Sequence, residues 1–476
     1  MNILLILAFT LIALALASTR YASYLARLLG EDRARPTPAV TRNDGRDYVP
    51  SRLHVLFAHH FSTIAGAGPI IGPALGIVYG FGPAWLWVLF GAIFFGAVHD
   101  YTALFASMRE GGSSMAQIAG KSLGRWGFNL FILFTLIMIV LVTAAFLKLS
   151  AVSLTSMWPL EKLGLSESQT LLRTVTENGE TKGVIGGIAS TSVIIITLIA
   201  PLLGTLIYRR KISTAGSYAL ALLLCVASVY LGFRFPISLS PDLWMVVISI
   251  YVLFAATLPV WVILQPRDFV NAQILYFGMF MVLLAIVVVG IGGGDSAAIQ
   301  IPQFNLAVGI EKLGFIWPLL FITIACGAIS GFHSLVAGGT TGKQVANERD
   351  ARRIGYGGML LEGLLATMVL LAIGSSLSLD QYLGIVWPES AGSNPILAFS
   401  LASGILVNKA LPFISIAVGS VFGILMIESF IITTLDSAVR LNRYLFEELW
   451  RQIFGAKVPK FVTSYAFNAL LAVGLM

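Results

Sequence analysis

Apolar blocks of about twenty residues recur along the chain, each long enough as a helix to cross roughly 30 Å of hydrocarbon. FNLFILFTLIMIVLVTAAFLKL and ILYFGMFMVLLAIVVVGIG are two of them. Lipid offers no partner to backbone N–H and C=O groups, so only helices or closed barrels satisfy them there. Barrel strands would read as alternating segments of about ten residues, and this pattern is absent. With 57% hydrophobic and 11% charged residues among 476, the chain carries about half the charge of a soluble protein. The expected fold is an all-α polytopic membrane protein with about twelve transmembrane helices.

The expected spans are 2–19, 54–79, 84–108, 128–150, 186–207, 214–233, 243–264, 272–293, 315–338, 356–376 and 411–435. A last segment begins near Phe461 and stops at Met476, which leaves either a longer natural chain or an end at an interface. Placing 20–53 in the cytoplasm puts most of the 30 Lys and Arg on that side, including Arg20, Arg52, Arg209, Lys343 and Arg353. That asymmetry sets the N-terminus outside. It also explains the net charge of +7 as membrane orientation and argues against a nucleic-acid partner. The first segment reads as a retained anchor: Ala15-Leu16-Ala17 mimics a cleavage site, but no basic stretch precedes it. Cys225 and Cys326 fall in apolar segments and read as small buried residues without a disulfide. No cofactor is implied.

Without the first and last segments, ten spans remain and divide as 54–233 and 243–435, with 1–53 an anchor and basic loop and 436–476 a terminal helix and further segment. Five is odd, so the second group starts on the opposite side, the inverted repeat of many secondary transporters. The leading helix of the first group carries Gly66, Gly68, Pro69, Gly72 and Pro73; that of the second carries AATLPVW, with Thr257 and Pro259. Glycine tolerates unwound backbone and proline removes a donor. Non-helical backbone at membrane depth survives only inside protein or beside water. Two such interruptions would turn helix-end dipoles and free carbonyls toward one cavity, a site for an anionic or zwitterionic solute and a cation.

Ionisable groups within spans are costly and mark pathways. Counted at 1.5 Å per residue from the inner arginines, His59, His60, His99, Asp100, His333, Glu362 and Glu428 share a layer roughly 10–15 Å deep. Histidine titrates near neutrality, so the layer suits a proton relay, led by His59, Asp100 and His333. Imidazole and carboxylate also suit a metal, but there is no HExxH and the spacing specifies none. His59 and His60 point about 100° apart on one helix. Ser330, Ser334, Thr340 and Thr341 in CGAISGFHSLVAGGTTGKQ offer oxygens to a sodium ion, the rival coupling. GGTTGKQ is not a phosphate loop: Ala337 stands where glycine is required and glutamine follows the lysine. TTLDSAVRLNRYLFEEL, with Asp436, Arg440 and Arg443, reads as an amphipathic continuation at the inner end.

HHFSTIAGAGPIIGPALG, GAVHDYTALFASMREGGSSMAQIAG, CGAISGFHSLVAGGTTGKQVANERDARRIGYGGMLLEG and TTLDSAVRLNRYLFEEL occur in order across nearly the whole chain. They resemble the carbon starvation protein A family. The resemblance implies a transporter of the bacterial inner membrane for peptides, or for pyruvate in some members, rather than an enzyme. It also implies a leucine-transporter-like core of five plus five helices. In that core the first and sixth helices line the substrate site and the first and eighth hold a coupling ion. Those correspond here to 54–79, 243–264 and 315–338. The expected substrate site is Gly66, Gly68, Pro69, Gly72, Thr257 and Pro259.

Overall fold

The computed structural model describes residues 1–170, 172–177, 179–389, 392–455 and 458–476, apart from the side chains of 428 and 429. Its helices in chain order begin with α1 (Ile3–Leu29), α2 (Leu53–Ala65) and α3 (Gly68–Gly76). Next come α4 (Phe81–Arg109), α5 (Met115–Leu154), α6 (Gly186–Arg209) and α7 (Thr214–Arg234). α8 (Pro241–Thr257) and α9 (Leu264–Gly292) follow, then α10 (Leu306–Leu313), α11 (Ile316–Thr323) and α12 (Gly331–Gly339). The chain continues through α13 (Arg352–Ser376), α14 (Leu379–Val386), α15 (Pro395–Ala410), α16 (Ile416–Phe454) and α17 (Tyr465–Leu475). Among the described residues, nine helices are long and apolar enough to cross a membrane, or ten if α10 and α11, bent by 75°, form one span.

Serine caps start several of these helices. Ser114, Ser240 and Ser415 accept from the N–H groups of Gln117, Leu243 and Val418, each cap worth about 1 kcal/mol. A small antiparallel sheet, β1 (Met157–Pro159), β2 (Thr174–Glu177) and β3 (Glu180–Val184), lies between α5 and α6 in the order β1-β3-β2.

The structure departs from the expected spans in four places. The segment 128–150 belongs to α5, two helical stretches joined across a kink at Gly124 (φ +75), and 411–435 to a helix of 39 residues, α16. The run 315–338 is not one helix but α11, non-helical backbone over 324–330, and α12. α15 was not expected, because its 16 residues between two prolines are too short for an upright span. It packs antiparallel on α16 through small residues: a Cβ on Gly404 would meet Ser420, and one on Gly423 would meet Ser400.

The fourth departure concerns Pro259. It interrupts no span: α8 ends at Thr257, α9 starts at Leu264, and Pro259 lies in the connection. There the Thr257 and Leu258 carbonyls accept from Arg46 and Arg440, the Val260 N–H donates to Arg46 O, and Trp261 Nε1 donates to Gly45 O. These contacts hold the connection against the arginine-rich loop that precedes α2 and, through Arg440, against α16.

Candidate functional site

The interruption at Gly66 is present. α2 ends at Ala65 and α3 begins at Gly68, with Gly66 at φ +38. A side chain there would be strained and would place a Cβ 2.9 Å from Thr434 Oγ1. Its partner is the 324–330 break, not Pro259. α3 and α11 run antiparallel in close contact: a Cβ on Gly68 would lie 2.4 Å from Cys326 Sγ, one on Gly72 2.5 Å from Thr323 O, and one on Gly76 2.5 Å from the Ile324 side chain. α4 receives the same break through Gly91 and Gly96, whose Cβ positions fall on Ala328. A π-helical stretch, Gly91–Gly96, precedes His99 and Asp100 on this helix, an irregularity common at functional sites.

Two buried polar networks meet at α2, divided between its adjacent histidines. His60 Nδ1 lies 2.9 Å from Thr341 Oγ1, on the side of Asp100 and His333. His333 Nδ1 lies 2.7 Å from Asp100 Oδ2, and its Nε2 faces Glu362 Oε2 at 3.3 Å and Cys326 Sγ at 3.9 Å. His99, 32% exposed, reaches Asp100 Oδ1 at 2.9 Å. Asp100, His333 and Glu362 are fully buried. The sequence-expected members His60, His99, Asp100, His333 and Glu362 therefore form one cluster drawn from α2, α4, α12 and α13.

His59 turns the other way. Its Nδ1 lies 2.6 Å from Asp268 Oδ2. Arg267 reaches Asp436 Oδ2 at 2.9 Å and Asp268 Oδ1 at 3.5 Å, and donates to Thr433 Oγ1 and to the Tyr251 hydroxyl. Thr433 donates to Asp268 Oδ1 at 3.0 Å and Tyr251 to Asp436 Oδ2 at 2.7 Å. Two carboxylates share one guanidinium in a fully buried setting. Buried charge is tolerated only when paired, and here two carboxylates face a single fixed cation, with the His59 imidazole beside Asp268.

Asp268 and Arg267 escaped the sequence reading because QPRD falls between the expected spans 243–264 and 272–293. Pro266 was the available signal, since proline favours the first turn of a helix; here that turn is buried. Of the other expected residues, Gly68 and Pro69 open α3, and Gly72 packs on Thr323. Ser330 is buried at the head of α12. Thr340 bonds back to Val336 O, while its neighbour Thr341 joins the cluster. Thr257 and Pro259 lie at the arginine-rich loop and do not join Gly66. The side chain of Glu428 lies outside the described residues.

A third network lies at the arginine-rich end. Asp47, in the loop before α2, accepts from Arg440 at 2.8 Å and from Arg443 at 3.1 Å with both oxygens. Burial raises the Asp47 carboxyl, but Arg443, Arg440 and Lys343 outweigh it and hold the group well below the usual carboxylate range. Arg109 on α4 binds Glu348 through two nitrogens, at 2.8 and 2.6 Å.

The family model for the carbon starvation protein CstA matches residues 2–394 and 386–476. The chain belongs to the CstA family. It is 31% identical to the peptide transporter CstA of Bacillus subtilis over 95% of this chain and 76% of that one. It is 34% identical to the peptide transporter CstA of Campylobacter jejuni over 74% of this chain and 47% of that one. It is 32% identical to the pyruvate/proton symporter BtsT of Escherichia coli over 90% of this chain and 65% of that one. The chain thus spans from about half to three quarters of the length of these CstA-family relatives. Their names are those of transporters and not of enzymes, and this chain is a multi-pass membrane protein.

Proposed function

We propose that the chain is a secondary active transporter of the bacterial inner membrane, with its N-terminus outside, importing a peptide or a small carboxylate such as pyruvate by proton-coupled alternating access. One observation carries this reading: two interrupted helices cross antiparallel at Gly66–Gly68 and 324–330, beside buried networks short of positive charge. Free carbonyls and helix ends at such a crossing suit a solute carboxylate and a cation. In this reading the solute binds near Gly66–Gly72 and the 324–330 break, and the driving proton is exchanged at His59 and Asp268. Asp47 with Arg440 and Arg443 closes the arginine-rich end and opens in the inward-facing state. The relatives' names, peptide transporter and pyruvate/proton symporter, support the solute class and the proton.

The inverted repeat is proposed in revised form. An interrupted helix, a helix with a π turn and the long α5, kinked at Gly124 (α2/α3, α4, α5), are matched with α11/α12, α13 and, after α14 and α15, the long α16. The leucine-transporter-like core then has its second leading helix at 316–339 and not at Pro259.

Uptake into proteoliposomes with imposed gradients tests the proposal. An inward proton gradient drives saturable accumulation, and unlabelled dipeptide and pyruvate compared as competitors identify the solute. Stimulation by sodium alone would replace the proton with sodium near Ser330; no accumulation under either gradient would refute the transporter reading.

A further inference from the structure

Among the described residues, Cys326, His333 and Glu362 offer ligand atoms that all lie within 4.8 Å of one another. We propose that these three side chains form a binding site for a zinc-class divalent cation. The reading concerns metal binding alone and does not depend on transport. In a tetrahedral zinc site, bonds of about 2.3 Å to sulfur and about 2.1 Å to nitrogen or oxygen separate ligand atoms by roughly 3.3–3.6 Å. The observed separations are 3.9 Å from Cys326 Sγ to His333 Nε2 and 3.3 Å from that nitrogen to Glu362 Oε2. The histidine–glutamate separation already fits, the thiol has to approach Nε2 by a few tenths of an ångström, and the cysteine and glutamate ligand atoms lie within 4.8 Å of each other.

The surroundings favour an ion. His333 Nδ1 is engaged by Asp100, which fixes the ring and turns Nε2 toward the cysteine and glutamate, the carboxylate–histidine support common to metal ligands. Both Glu362 oxygens are buried without a hydrogen bond of acceptable geometry among the described residues. Asp100 and Glu362 together leave the pocket short of positive charge. Gly68 leaves room for the thiol, because a Cβ there would fall on Cys326. Thiolate, imidazole and carboxylate select zinc or cobalt over magnesium or calcium. Three protein ligands leave a fourth position for water or another donor. Coordination takes Cys326 as thiolate and releases its proton to solvent, so binding strengthens as pH rises.

Cobalt titration of the full chain, purified in detergent and stripped with chelator, tests the site. The expected result is a thiolate-to-cobalt charge-transfer band that C225S retains and C326S abolishes. E362Q should weaken binding at least tenfold, and D100N, which removes only the support, about 10–100-fold. Should C326S fail to fold, maleimide labelling of Cys326 in a C225S background gives the same answer: zinc slows it and magnesium does not. Absence of the band, its survival in C326S, or labelling indifferent to zinc would overturn the site. None of these measurements reads transport, so failure here leaves the transporter reading standing, and the reverse holds.

Discussion

His59 and His60 are neighbours in sequence yet serve different networks: His59 Nδ1 meets Asp268 at 2.6 Å, while His60 Nδ1 meets Thr341 at 2.9 Å. The divergence follows from about 100° per residue on a helix. It lets α2 stand between two buried polar groups, each held by helices that do not contribute to the other's ion pairs.

Replacing Asp268 by Asn should uncouple the protein without unfolding it. Arg267 retains Asp436 at 2.9 Å, so the guanidinium keeps a partner, while His59 loses the carboxylate that its Nδ1 meets at 2.6 Å. Gradient-driven uptake should fall at least tenfold, with solute exchange at zero gradient largely retained. Unchanged stimulation by the pH gradient in folded D268N would remove Asp268 from the coupling path.

Gly66→Ala tests the first interruption. Alanine at φ +38, with its Cβ 2.9 Å from Thr434 Oγ1, should cost about 1–3 kcal/mol and lower the melting temperature of the purified protein. Gly331→Ala is the control, since a Cβ there meets nothing within 4 Å, and it should be neutral or slightly stabilising. Equal melting of the two variants would contradict the strained backbone at Gly66.

Thr341→Val strips the partner from a fully buried imidazole. The orphaned nitrogen should cost about 1–3 kcal/mol, seen as a lower melting temperature, with Thr341→Ser close to wild type. If valine and serine behave alike, the His60–Thr341 hydrogen bond contributes nothing.

Asp47 supplies a pH signature. Burial raises its carboxyl, but Arg443 and Arg440 lower it further, so folding depresses its pKa. Its stabilisation is therefore complete above the unfolded value of about 3.9 and is lost as pH falls through the native value. Asp47→Asn should loosen the loop before α2 at neutral pH, read as faster proteolysis near Arg46, and should flatten the acid limb of the stability profile. An acid limb identical to wild type would exclude Asp47 as its source.

Much of this molecule was legible in its sequence because hydrocarbon is an unforgiving solvent. The apolar blocks, the clustered arginines and the Gly66 interruption each answer to a local rule of length, charge or backbone freedom. The cost of burying imidazole and carboxylate likewise singled out His59, His60, Asp100, His333 and Glu362 before any packing was known. What hydropathy could not distinguish was a loop charge from a buried one. Arg267 and Asp268 look like loop residues until α9 starts at Leu264 and carries them inward. Nor could it find the second break that faces Gly66: local composition points to Pro259 and reads 315–338 as one span, because which helices cross is not a local property. Cys326 shows the same limit: alone it is a small apolar residue, and it becomes a candidate ligand only when the fold sets it against His333 and Glu362. Side-chain chemistry is a property of one residue, whereas a site is a set of distances, and only the packed helices set those.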